Sequence, residues 1–415
     1  MMDEADSDGI QGILHYLNLS VVGGVETLFS DLIESGWMSE FFAHHVVSGT
    51  SVHEQFLRPL AHRVSTLSYL KKTRFGVYLP RRPRVFREAR ARRLSRRIAP
   101  MVIVAWNNLG RPETLGMKRS SPRASLVYLE HGACWDAEPI KTRVFLEQCD
   151  RVVCNSHAAK RVMEERFGVV ADKVIRVPLR LGALAGGGAP QPRPALGNRS
   201  LQLGIAGRHI PLKGFTVVLH VLKALVSWGY DAELQVAGSG PELPRFQDLA
   251  TRLGMAKRVH CHGHVSDMGR FFRRIDMLLV PSVREPFGLV SVEAAAHGCV
   301  VIASAVDGLP ETMSDGYSGI LVRPTEPLTV LKELGGTCDR IPDRVYDPAT
   351  DALGNPKILD PGTLARAVSA LVDDSARFRS ISRYAIDYAR SAHCFEAYAR
   401  ALGDEIRALS ATFAR

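Results

Sequence analysis

Apolar and polar positions along this chain alternate in two rhythms. Short apolar runs at residues 12–17, 43–47, 101–106, 124–129 and 151–154 read as strands. The segments 25–34, 84–97 and 156–167 between them read as helices, the last with Ser156 placed to cap it. The rhythm stops in the Gly-, Pro- and Ala-rich stretch 181–200, and it resumes with strands predicted at 201–206, 233–237, 259–262, 277–280, 300–304 and 319–322. Helices are predicted between these, including 214–227 and 288–296. Residues 335–360 interrupt the pattern and read as a surface excursion, and helical segments run from about residue 361 to the end. Strand–helix alternation of this kind predicts parallel sheets covered on both faces. A chain of 415 residues exceeds the roughly 250–300 that one core holds, so two such α/β domains are expected. The boundaries fall at 1–182, a linker at 183–200, 201–394, and a terminal helix in 395–415.

Composition narrows the class. The chain is 46% hydrophobic and 23% charged, as globular proteins are, and no run approaches the roughly 18 apolar residues of a membrane span. The first residues, Met1 to Asp8, are acidic and lack the apolar core of a secretory leader, so a cytoplasmic location is expected. Seven cysteines, an odd number with no CxxC pair, suit reduced thiols in such a compartment. The net charge of +10 is concentrated. Residues 71–97 hold twelve lysines and arginines against one acid, Glu88, so the remainder is close to neutral. A solvated helix face is the plainest reading of this arm, and peripheral contact with an anionic membrane is the second. Nucleic acid ranks third and is not expected as a partner, because the arm has aromatic residues nearby but no recognition motif.

Four segments carry candidate chemistry. Gly23 and Gly24 follow a predicted strand and open a helix, where bare backbone lets a ligand approach and a helix N-terminus favours anions. After the first strand of the second domain, Arg208 and Lys213 project from one loop, and two cations there could hold a diphosphate without a metal. The third is Glu285-Pro286-Phe287-Gly288-Leu289-Val290, with Glu293 beyond it. Glu285 precedes a proline and so belongs to the loop. Gly288 starts a helix whose amides at Leu289 and Val290 can cradle phosphate, and Glu293 can accept ribose hydroxyls. The fourth places His131 after a strand, at the end where open α/β sheets bind ligands. Each has a plainer structural reading when taken alone: a turn, solvated cations, surface carboxylates, a loop histidine. Two metal readings are set aside. Asp6-Ser7-Asp8 lies in the acidic leader. His260, His262 and His264 would share one face of a strand.

Taken in order, these segments resemble the family 4 (group 1) glycosyltransferases of the GT-B fold. The specific part is the pair Glu285 and Glu293 enclosing Pro286-Phe287-Gly288, followed by Gly308-Leu309-Pro310-Glu311, Asp315-Gly316 and Gly319-Ile320-Leu321-Val322. The resemblance implies two Rossmann-like domains facing each other across a cleft. The first would bind acceptor and the second the nucleotide-sugar, with the C-terminal helix crossing back to the N-domain. It implies retaining sugar transfer from a UDP-, GDP- or ADP-linked donor to a hydroxyl acceptor, with no cofactor or metal. The acceptor would be a cell-envelope glycan, a lipid-linked saccharide or a small glycoside. Arg208 and Lys213 would bind diphosphate, Glu293 ribose, and Phe287, Gly288, Leu289 and Val290 the sugar and phosphate through backbone. His264 would lie in a turn near the base, with Gly23 and Gly24 closing on the donor and His131 between donor and acceptor. Glu285 would act as nucleophile or, the favoured version, orient the sugar. The chain departs from the family where an Asn-Gly turn is common: here it reads Val177-Pro178-Leu179-Arg180-Leu181-Gly182. A nucleotide-sugar epimerase, a sugar-phosphate synthase and a non-catalytic binder remain as alternatives.

Overall fold

The computed structural model describes residues 11–70, 73–74, 77–78, 84–184, 189–197 and 199–411. The acidic leader, part of the basic arm and part of the expected linker lie outside these. The chain divides into two compact units. One holds Met1–Asn155, Met163–Ile175 and Glu396–Arg415, and the other Ser156–Val162 and Arg176–Phe395.

The first unit is built on a seven-stranded parallel sheet. Its strands are β1 (Gln11–Leu17), β2 (Phe42–Ser48), β3 (Thr66–Tyr69), β4 (Val102–Trp106), β5 (Ser125–Glu130), β6 (Arg151–Cys154) and β7 (Lys173–Val174). They lie in the order β3-β2-β1-β4-β5-β6-β7. Every residue of β4 and β5 is buried, which is why these strands read as continuous apolar runs rather than alternating ones. The chain winds outward from β1 in one direction and from β4 in the other. The gap between their C-terminal ends is therefore the topological switch point, where such sheets bind ligands. Helix α1 (Gly24–Glu34) follows β1, and α2 (Arg84–Ile98) packs on α3 (Pro112–Ser120) through the ion pair of Arg87 with Glu113 at 3.6 Å. The helix α4 (His157–Phe167) opens at Ser156, whose hydroxyl accepts the Ala159 amide at 3.0 Å, a conventional N-cap.

The second unit repeats the plan with β8 (Leu201–Ala206), β9 (Ala232–Ala237), β10 (Val259–Cys261), β11 (Met277–Val280), β12 (Val300–Ser304) and β13 (Ile320–Val322). The order is β10-β9-β8-β11-β12-β13, again all parallel, with the switch point between β8 and β11. Helices α5 (Phe215–Ser227), α6 (Leu289–Ala296), α7 (Pro361–Asp373) and α8 (Ser375–Ala392) cover this sheet. The last helix, α9 (Phe395–Ala411), belongs from Glu396 onward to the first unit. There Ala399 O accepts the Trp37 indole N–H at 2.7 Å, and Glu405 faces Arg151 and Lys173 at 3.5 and 3.8 Å.

Two segments differ from expectation. The stretch expected as linker is, where described, fastened to the second unit. Arg193 donates to the carbonyls of Ile275 at 2.9 Å and Phe272 at 2.5 Å, Leu196 is buried in the core, and Arg199 forks onto Asp276. Its Gly and Pro content hid side chains that make specific bonds, and the unit begins again at Arg176 rather than after Gly182. The expected surface excursion instead forms an antiparallel hairpin, Val345–Asp347 with Ala352–Gly354, whose Tyr346 is buried. Strands β3 and β7 were not expected; both sit at sheet edges, where half-buried residues give no clear apolar run. No helix among the described residues is long and apolar enough to cross a membrane.

Candidate functional site

In the second unit the loops after β8 and β11 meet at the switch point. Val283 N–H donates to Leu212 O at 2.8 Å, and Gly214 (φ +65°) passes so close that a Cβ there would lie 2.4 Å from the Pro281 carbonyl oxygen. This lock brings Lys213 onto the Glu285 carboxylate as an ion pair. Ser282 Oγ stands 3.4 Å from the same carboxylate. The Glu285 backbone is held as firmly: its N–H donates to Asp307 Oδ2 at 2.9 Å, and its carbonyl accepts the Gly308 amide at 3.1 Å. Glu285 is buried, with its Cγ 3.3 Å from where a Gly288 Cβ would be. Gly288 itself has φ +100° and leads into α6, so the first-turn amides of Leu289 and Val290 have no helical carbonyl to bond.

Glu293, on the second turn of α6, is buried and receives Arg180 Nε at 2.5 Å. Burial raises its pKa above the ordinary carboxylate value, and the Arg180 charge works against that rise. Arg180 is the residue that sequence reasoning missed as part of the site. It stood only as a departure from a turn motif, and nothing in its spacing announces Glu293 as a partner. Arg208 is exposed and has no ion pair among the described residues. Its neighbour His209 is buried and stacks on Phe215 with ring centroids 3.9 Å apart. Burial lowers the His209 pKa to about 4, so it adds no charge to the loop. Phe287 is buried against His393, with centroids 5.6 Å apart. His264 is exposed in the turn after edge strand β10. Its neighbours bond elsewhere, His260 to Glu233 at 3.1 Å and His262 to Gln235 at 2.7 Å. Glu311 of the Gly-Leu-Pro-Glu segment accepts the amides of His157 and Ala158, at 2.9 and 3.1 Å, so its place is as a helix cap.

In the first unit Gly23 and His131 flank the switch point on either side of β4. Gly23 is the N-cap of α1 in extended conformation, and a Cβ on Gly24 would meet no protein atom within 4 Å. His131 is half-buried, and burial lowers its pKa to about 4, so the ring is neutral near pH 7. It stacks on Trp106, the last residue of β4, at 6.1 Å between centroids and 15° between planes. Its backbone N–H donates to Asn107 Oδ1 at 3.1 Å. The preceding Glu130 is consumed locally: it accepts Tyr128 OH at 2.6 Å and the amides of Gly132 and Cys134.

Residues 200–335 match the family described as Glycosyl transferases group 1. Two D-inositol 3-phosphate glycosyltransferases are 35% identical to this chain. That of Mycobacterium marinum aligns over 43% of the chain and 40% of its own length. That of Streptomyces griseus subsp. griseus aligns over 41% and 40%. The chain thus spans well under two thirds of the curated relatives it matches. Among solved structures, Anabaena HepE in complex with UDP and glucose superposes with a TM-score of 0.70 at 17% identity, over 96% of this chain and 100% of its own. A glycosyltransferase of Rickettsia africae gives 0.72 at 14% identity, over 96% and 98%. At such identities the likeness establishes the fold. Residues 200–335 are thus similar to the group 1 glycosyltransferases, and along nearly its whole length the chain shares the GT-B fold of those structures.

Proposed function

We propose that the protein is a retaining, metal-independent glycosyltransferase that moves a sugar from a nucleoside-diphosphate donor to a hydroxyl acceptor. The observation that carries this is the switch point of the second unit, where Lys213 fixes the buried Glu285 beside the open amides at the start of α6. In this reading Arg208, Lys213 and the amides of Leu289 and Val290 take the diphosphate. Phe287 and Gly288 present backbone to the sugar, Glu293 accepts ribose hydroxyls, and His264 lies towards the base. Gly23, Gly24 and His131 lie at the first unit's own switch point. The bond from the anomeric carbon to the diphosphate oxygen breaks, and that oxygen keeps the electron pair. The acceptor oxygen bonds to the same face of the carbon, and its proton passes to the leaving diphosphate. Glu285 orients the sugar. Preorganised donors aimed at the developing charge are each worth about 2.7–4 kcal/mol in such steps.

HepE binds UDP-glucose in its solved complex, which puts a UDP-hexose first among the donors to try. Calorimetry with UDP, and product analysis with UDP-, GDP- and ADP-glucose, test the reading. Replacing Arg208 and Lys213 together by alanine should weaken UDP binding at least tenfold and abolish transfer. Unchanged affinity and turnover would refute it, and epimerised donor or a sugar phosphate as product would point to another chemistry.

A peripheral membrane contact at a cytoplasmic face belongs to the same proposal. Val85 and Phe86 at the start of α2 are 71% and 57% exposed, with Arg93, Arg96 and Arg97 exposed farther along the helix. Apolar tips beside cations suit an anionic interface. Flotation with vesicles containing phosphatidylglycerol should carry the protein up. Loss of flotation is expected for Phe86→Glu, and equal flotation of that variant would count against the contact.

A further inference from the structure

Two buried histidines in the first unit have no part in the chemistry above. His15 on β1 and His44 on β2 are both almost wholly buried, and their rings are joined by a bond of 2.9 Å between His15 Nε2 and His44 Nδ1. The groups at either end of this pair settle where the protons are. The Trp106 indole N–H, which can only donate, reaches His15 Nδ1 at 3.2 Å. The Trp37 carbonyl, which can only accept, lies 2.8 Å from His44 Nε2. His15 must therefore carry its proton on Nε2 and give it to His44 Nδ1, and His44 must carry its own on Nε2. Trp37 continues the line, its indole N–H donating to Ala399 O on α9 at 2.7 Å. The result is one unidirectional chain, Trp106 to His15 to His44 to Trp37, with each ring neutral and a single tautomer allowed. A proton added to either imidazole would set two donors face to face.

The Trp106 end of this chain reaches the candidate site. The indole plane is the surface on which His131 stacks, and Phe29 of α1 meets the indole edge-on at 5.3 Å. Trp106 is 1% exposed, so its N–H has no water to turn to, and the orientation of the indole follows from His15.

We propose that His15 is a positioning residue for His131: by accepting the Trp106 N–H it fixes the aromatic plane that holds the His131 ring at the switch point. This rests on the reading of His131 as a functional residue at the first unit's switch point. The titratable group nearby that acts on both members of the pair is His45 of β2. The residue before His131 is Glu130, whose oxygens are taken by Tyr128 and backbone amides. Burial first, then His44 and His45, keep His15 well below the usual imidazole range, which agrees with a neutral chain.

Two substitutions separate positioning from mere packing. Glutamine at 15 can accept from Trp106 through its carbonyl and donate to His44 through its amide, whereas leucine of similar bulk does neither. In His15→Leu, kcat should fall about tenfold or more, the scale of a small misplacement, with KM for donor unchanged. His15→Gln should restore it to within about threefold. An NMR titration of the His131 ring gives a readout independent of turnover. Its pKa should stay near 4 in the wild type and in His15→Gln and rise towards the ordinary 6.5 in His15→Leu, as water reaches the ring. If His15→Leu does not fold, Trp106→Phe, which keeps a ring but removes the N–H, should move His131 the same way. Identical His131 titrations in all variants, or equal kcat in the leucine and glutamine variants, would overturn the proposal. Full turnover in His131→Ala would overturn the reading of His131 instead and leave the titration to decide on His15.

Discussion

Replacing Arg180 by alanine should destabilise the second unit in a way that depends on pH, because it strips the counter-charge from a buried carboxylate. Glu293 has 8% of its side chain exposed and Arg180 28%, and they meet at 2.5 Å. Removing one partner of a fully buried pair costs about 3–5 kcal/mol, and the residual exposure of Arg180 brings the expectation to about 2–3 kcal/mol. The sign with pH follows from Glu293. Burial raises its folded pKa above the ordinary 4.5, and a carboxyl shifted in that direction costs stability only where it is ionised. The cost is absent below the unfolded pKa and complete above the folded one. Without Arg180 the folded pKa rises further, so the deficit of Arg180→Ala should be small near pH 4.5 and larger at pH 8. Hydrogen exchange of the α6 amides reports the local opening free energy without assuming that the two units unfold together. Glu293→Gln should remove the pH dependence, and in that background Arg180→Ala should cost under about 1 kcal/mol. A deficit equal at both pH values, or single effects that simply add, would show that the pair is not coupled as described.

Asp307 binds the Glu285 amide at 2.9 Å and the Tyr346 amide at 2.8 Å, so Asp307→Ala leaves two backbone donors without their acceptor, at about 1–3 kcal/mol each. Turnover should fall while UDP affinity measured by calorimetry stays within about twofold, since Arg208 and the α6 amides are untouched; equal losses in both would contradict this. Burial lowers His131, His209 and His393 to about 4, so their contribution to stability is complete above the unfolded value of 6.5 and is lost as pH falls from there towards 4. Melting temperature should hold level from pH 8 to 7 and decline below about 6.5, less steeply in His209→Phe; a melting point constant down to pH 4.5 would refute it.

The central strands were readable because burial on both faces makes β4, β5, β11 and β12 unbroken apolar runs. The helix at 289–296 was readable because a glycine must stand where φ is positive. What stayed hidden was every interaction that closes over a long stretch of sequence. Arg180 and Glu293 are 113 residues apart and Trp106 and His15 are 91 apart, and no periodicity links such positions. The 335–360 segment misled for the same reason. Its polar, Pro-rich composition is that of a surface loop, yet one residue of it, Tyr346, closes on Asp307 and so on the backbone of Glu285.

The charge inventory of the second unit revises how a diphosphate would be attracted. Sequence alone offers two cations, Arg208 and Lys213. In the fold Lys213 is already balanced by Glu285, and Arg180 by Glu293, so these four charges cancel in pairs. What remains uncompensated is Arg208, exposed, and the positive end of α6. Attraction then rests on one exposed cation and a fixed dipole, while Lys213 serves geometry: its ammonium has three donors and can keep Glu285 in place while giving another to phosphate. The two substitutions should therefore separate. Arg208→Ala should weaken UDP binding and flatten its dependence on salt, because it removes the unbalanced charge. Lys213→Ala should leave the salt dependence steep and strike turnover harder than affinity, because it frees the buried carboxylate of Glu285, which the proposal assigns to orienting the sugar. If both variants lost salt dependence equally, Lys213 would be acting as a free charge, and the pairing seen here would not describe the site that meets the donor.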